Sequence, residues 1–118
     1  MNNPKNKRKS PKEFFKSLKD ADGFVFHLKA SNTFKKDIEL CYRRNLELEL
    51  LENVILKLAR GETLDKKYQA HKFHNIAKQY NEAIWECHIQ SDWLLIWKQN
   101  DTDLILILSN TGTHSDLF

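Results

Sequence analysis

Three short runs rich in Ile, Leu and Trp crowd the C-terminal third of the chain: Ala83–Ile89, Trp93–Trp97 and Leu104–Leu108. Branched and aromatic side chains at this density favour extended backbone, and the turn-forming stretch Asn100-Asp101-Thr102-Asp103 separates the last two runs. The reading is an antiparallel meander. One face of such a sheet needs a second layer to cover it.

That layer is legible upstream. Phe24, Phe26 and Leu28 alternate with more variable neighbours, which predicts a first strand with one buried face. After the cap residues Ser31 and Thr33, the side chains Phe34, Ile38, Cys41 and Tyr42 recur on one helical face, while Lys35, Lys36, Arg43 and Arg44 fall largely elsewhere. A second helix is predicted from about Glu47 to Arg60, with Leu51, Val54, Ile55 and Leu58 inward and Gly61 just past its end. Strand, helix, helix, then three strands describes an α+β domain: an antiparallel sheet with an N-terminal helical hairpin packed on one face. Between Glu62 and Glu82 the pattern weakens, with His71, Phe73, His74 and Tyr80 scattered among polar residues, so mostly loop with at most a short strand is expected there.

The 118 residues fit one domain. Residues 1–23 stand apart as a basic extension. Residues 1–10 hold one Met and no other large apolar side chain, so disorder is expected. Phe14, Phe15 and Leu18, with Gly23 as a stop, then predict a short helix over Lys12–Lys19. The core pattern is expected to begin near Phe24, giving a folded domain over residues 24–118. Of the net charge of +3, residues 1–22 contribute +4, seven Lys and Arg against Glu13, Asp20 and Asp22, which leaves −1 for the rest. The folded body is therefore not strongly basic, and the arm reads either as a source of phosphate contacts or as a solvated tail. No apolar run approaches the roughly 20 residues of a membrane span, and the basic N-terminus lacks the apolar core of a secretory signal. Membrane and secreted classes are set aside, and a cytoplasmic location is expected. Cys41 and Cys87 read as reduced thiols rather than as a disulfide.

Chemistry concentrates in Glu86-Cys87-His88-Ile89-Gln90-Ser91-Asp92-Trp93 and in Thr111-Gly112-Thr113-His114-Ser115-Asp116-Leu117-Phe118, with His71 upstream. Among the reactions such a set of histidines and a carboxylate could serve is metal-free RNA cleavage, which uses the neighbouring 2′-OH as nucleophile, and needs a base for its proton, an acid for the departing 5′ oxygen and stabilisation of charge. Histidine suits both proton roles at neutral pH. His88 and His114 are the candidate base and acid, in either order. Asp92 could orient a histidine tautomer, and Trp93 and Phe118 could stack on exposed bases. Plainer readings stand beside these: Trp93 as core, Asp92 as a turn residue, Phe118 as an apolar anchor of the terminus. His71, His74, Cys87, His88 and His114 could instead be zinc ligands, but no standard paired spacing accompanies them, and Cys87 and His88 should face opposite sides of a strand.

The string E-C-H-I-x-x-D-W-L-L-I, followed by T-G-T-H-S-D-L-F, resembles the YafQ branch of the RelE toxin superfamily. The resemblance extends more weakly through Tyr68-Gln69-Ala70-His71 and covers about residues 24–118. It implies a RelE-like fold and a type II toxin–antitoxin system, in which the toxin cuts mRNA without a cofactor, in the ribosome, and is silenced by a cognate antitoxin. Operator DNA would be reached only through the antitoxin complex. The positions it implies are His71, His88, Asp92 and His114 for catalysis and Trp93 and Phe118 for RNA. Trp85 stands where the family pattern has Arg, Ser91 where it has Pro, and His71-Lys72-Phe73-His74-Asn75 where it reads H-x-L-x-G. Lys72 is the candidate to replace the missing cation in binding RNA. A RelE-fold protein that binds a partner or nucleic acid without turnover is the competing expectation.

Overall fold

A computed structural model describes residues 8–77 and 81–118. The expected disorder of residues 1–10 falls mainly on residues 1–7, which lie outside the described residues, as does Tyr80. The elements are α1 (Pro11–Asp20), β1 (His27–Ala30), α2 (Asn32–Arg43), α3 (Leu48–Ala59), a 3-10 turn (Lys66–Tyr68), β2 (His71–Ala77), β3 (Glu82–Gln90), β4 (Trp93–Asn100), β5 (Ile105–Gly112) and α4 (His114–Leu117). The five strands form one sheet in the order β1-β5-β4-β3-β2.

Local chemistry accounts for the helices. Ser10 caps α1 in a capping box with Glu13, Pro11 occupies its first turn, and Phe14 and Leu18, one turn apart, are buried. Ser31 accepts from the Phe34 amide at the start of α2, whose buried side chains are Phe34, Ile38 and Cys41. Helix α3 buries Leu48, Leu51, Val54, Ile55 and Leu58, and Gly61 beyond it adopts φ +73°, a conformation disfavoured for residues with a Cβ.

β2–β3, β3–β4 and β4–β5 pair antiparallel, forming the expected meander and extending it by one strand. Two features depart from expectation. β1 joins the sheet parallel to β5, with His27 opposite Ile105 and Ala30 opposite Leu108, so the sheet is mixed. Only His27–Ala30 of the alternating run pairs; the Val25 and Phe26 amides donate instead to the Ala59 carbonyl at the end of α3, at 2.9 and 3.0 Å. The region expected to be mostly loop contains the seven-residue edge strand β2. His71–Ile76 are all exposed, so no apolar alternation marked it.

All three long helices contribute to one core with Cys87, Ile89, Trp93, Leu95, Trp97, Leu106 and Leu108 on one face of the sheet. That core begins before Phe24. Phe14 is fully buried in it, and Lys9 reaches Glu52 of α3 at 2.7 Å, where the Glu52 side chain is nearly buried. Arg8 lies over the Tyr42 ring at 4.4 Å and donates to the Tyr42 carbonyl. α1 is thus a third member of the helical layer. The opposite sheet face carries Glu86 and His88, which alternate with the inward Trp85 and Cys87.

Candidate active site

The stretch after β5 is a sequence of anchors. Thr111 is buried; its amide donates to Asp37 Oδ2 at 3.0 Å, its hydroxyl donates to the Leu94 carbonyl at 2.7 Å, and the same hydroxyl oxygen accepts from Trp93 Nε1 at 2.9 Å. Gly112 allows the next turn to close, since a Cβ there would stand 3.0 Å from Asp116 Oδ2. Thr113 and Asp116 form a capping box around α4, and Asp116 also accepts from Arg44 of α2 at 2.6 Å. That hydrogen bond from Arg44 holds the Asp116 carboxyl below the usual range, while burial pushes the Asp37 carboxyl above it.

His114 opens α4. Its amide and its ring Nδ1 both reach Asp92 Oδ1, at 3.3 and 3.2 Å. A carboxylate can only accept, so Nδ1 carries the proton and Nε2 is left free to take or give one. The ring hydrogen bond, then the amide, hold the Asp92 carboxyl below its ordinary value. The His88 and His114 ring centroids are 6.0 Å apart, and the chain of rings continues through Phe118, 6.1 Å from His114, to Phe73, 6.5 Å further. Phe118 and Phe73 are 69% and 45% exposed, so both offer ring surface to a ligand.

His71 lies on β2 opposite Glu86, and Glu86 is two residues from His88 on β3, so all three face the same side of the sheet. His71 Nδ1 donates to the Gln69 carbonyl at 3.0 Å, and Nε2 stands 4.0 Å from Glu86 Oε1. The ring is therefore either neutral with a free Nε2 or an imidazolium facing a carboxylate. Glu86 and Phe73 were not singled out in the sequence. For Glu86 the signal was present in the Glu-x-His alternation.

His88, Asp92, His114 and Phe118 are brought together, with His71 beside them on the same face. Two expected RNA contacts are not. Trp93 is 1% exposed and its indole N–H is committed to Thr111, so it is core rather than a stacking platform. Lys72 pairs in register with Trp85 and lies over that ring at 5.6 Å, on the helix-covered side. Trp85 itself stacks on Trp97, with centroids 6.1 Å apart and planes 11° off parallel. The Trp85 position thus faces away from the histidines, and the absence of Arg there removes no cation from between them. Cys87 is fully buried on the same inner side, where burial pushes its thiol up to about 12. Among the described residues no three His, Cys, Asp or Glu side chains converge as a metal site.

A family model described as "Bacterial toxin of type II toxin-antitoxin system, YafQ" matches residues 26–118. The mRNA interferase toxin YafQ of Escherichia coli strain B is 33% identical over 89 residues, covering 75% of this chain and 90% of the relative. The Escherichia coli DinJ–YafQ complex contains a chain that superposes with a TM-score of 0.68 at 28% identity, covering 79% of this chain and 98% of that one. A copper-bound mutant toxin from Helicobacter pylori superposes with a TM-score of 0.67 at 32% identity, covering 80% of this chain and all of that one.

Proposed function

This chain belongs to the YafQ family of bacterial type II toxin–antitoxin toxins, and from that premise we infer that it is an endoribonuclease that cuts mRNA by histidine acid–base chemistry. The observation that carries the reading is the His88–His114 pair, 6.0 Å apart, with Asp92 holding one ring at 3.2 Å. Both rings can reach oxygens of one phosphodiester. One takes the 2′-OH proton as the 2′ oxygen forms its bond to phosphorus; the other protonates the 5′ oxygen as the phosphorus–5′ oxygen bond breaks, leaving a 2′,3′-cyclic phosphate. Asp92 stabilises the imidazolium and fixes the tautomer of His114. His71, held by the Gln69 carbonyl and backed by Glu86, offers an imidazolium, when protonated, against the charge that develops on the phosphorane. Phe118, with Phe73 beside it, offers a stacking surface for an unpaired base.

Residues 24–118 are the toxin unit, to which α1 is added. The chain without its first 22 residues carries a net charge of −1, and this lack of an overall attraction for RNA favours action on mRNA that the ribosome already positions. The partner is a cognate antitoxin, as DinJ is for YafQ in the complex cited above. Among the described residues no helix is long and apolar enough to cross a membrane, and the cytoplasm, where mRNA is translated, is the proposed place of action.

Expression without an antitoxin tests this directly. Growth should stop and primer extension should reveal cut transcripts; normal growth with intact transcripts and soluble protein would favour the noncatalytic reading. Cleavage by purified protein should survive EDTA. Loss on chelation, with recovery on adding back zinc or copper, would replace the metal-free mechanism.

A further inference from the structure

β2 pairs with β3 only as far as His71 opposite Glu86, which leaves His88–Gln90 of β3 without a described strand partner on that side. Along this open edge runs a cleft of about 510 Å³, bounded by His88 and Gln90 of β3, Asn53 of α3, Lys67 and Tyr68 of the 3-10 turn, and Gln69 just past it. Its volume lies within the roughly 300–1,000 Å³ of small-ligand sites. Three observations give it a chemical character. His88, a candidate proton-transfer group, forms part of its wall. Lys67 places its ammonium 5.2 Å from the centre of the Tyr68 ring, combining an aromatic surface with a cation. Gln69 binds His71 through its carbonyl, so the same turn sets the cleft and orients a second site histidine.

We propose that this cleft seats the nucleotide next to the scissile phosphate, on the side of His88 away from Phe118. Tyr68 offers its ring to the base and Lys67 neutralises the adjoining phosphate. Gln90 and Asn53, each with a donor and an acceptor on one carboxamide, read the edge of the base and set which nucleotide is accepted there. The single-stranded RNA then crosses the histidine pair with a base held on either side, in the cleft and on Phe118, and the intervening phosphodiester is fixed between them. Two-point holding of this kind brings the 2′ oxygen, phosphorus and 5′ oxygen into line, which binding at one base cannot.

The proposal rests on the endoribonuclease reading, and the test separates the two. Cut positions are mapped by primer extension on cellular transcripts after brief expression of the full chain and of Gln90→Ala, Lys67→Gln and Tyr68→Ala variants. Gln90 and Lys67 are exposed, so their substitution should leave the fold intact even if Tyr68→Ala is unstable. The expected result for Gln90→Ala is continued cutting with the base preference at one position next to the cut relaxed severalfold. For Tyr68→Ala, cutting at each site should fall by about 5- to 150-fold, the range of one lost base stack, and for Lys67→Gln it should fall severalfold, as for one lost phosphate contact. Native-like preference and native-like cutting in Gln90→Ala and Lys67→Gln would overturn the cleft assignment while leaving the nuclease reading in place. Absence of cuts from the unaltered chain would overturn the nuclease reading and the cleft with it.

Discussion

Asp92 receives two hydrogen bonds from one residue, the amide and the ring of His114, so a single carboxylate both seats α4 and sets its histidine. His114→Ala and His88→Ala should each lower single-turnover cleavage by about 10²–10⁴-fold, the range for one general acid or base. Circular dichroism and thermal midpoint should stay close to those of the parent, because the His114 side chain is exposed and that of His88 only half-buried. A variant that retains full rate would remove that histidine from the mechanism. Acidification should follow the order set by local contacts. Asp37, raised by burial, takes up its proton first; Asp92 and Asp116, lowered by His114 and Arg44, follow at lower pH. The sign is that of a depressed carboxyl: the attachment of α4 is fully present above the ordinary carboxylate value of about 3.9 and is lost only as pH falls through the lowered values. Side-chain carboxyl NMR shifts read each step, and Asp92 titrating above Asp37 would contradict the assignment. At this scale the catalytic set was largely legible, since His88, Asp92 and His114 stand in two distinctive strings. Trp93 was misassigned because a residue type does not reveal which face of a strand it will occupy, and it ended in the core; Lys72 stays exposed but stands over Trp85 rather than beside the histidines.

Among the elements, α1 lies N-terminal to the family match yet supplies Phe14 to the centre of the core. Phe14→Ala should therefore cost about 3–5 kcal/mol, as for other fully buried aromatics, and denaturant unfolding at constant slope checks it. A cost under about 1 kcal/mol would make α1 a loosely attached arm. The helices α2 and α3 were readable because their apolar positions recur at helical spacing and Ser31 and Gly61 mark a start and a stop. β2 was not, since an edge strand exposed on both faces needs no apolar pattern. The parallel docking of β1 was equally silent, because its partner lies far along the chain and leaves no trace in the neighbouring residues.

In the molecule as a whole, the edge formed by β1 and β5 joins positions 78 apart, and Ser31 ties the same region together by donating to the Ser109 carbonyl. Contacts this distant carry the largest loop-closure cost and form slowly relative to hairpins. The β3–β4 and β4–β5 hairpins can assemble early, whereas α2, which follows β1 and whose Asp37 and Arg44 hold the stretch around His114, reaches its final place only when the two ends of the domain meet. Stopped-flow refolding should show the circular dichroism of the sheet recovering ahead of RNA cleavage, and recovery in a single shared phase would contradict it. A newly made chain then passes through an interval in which His114 is not yet held in place, and a waiting antitoxin can capture it before it becomes harmful to the cell that made it.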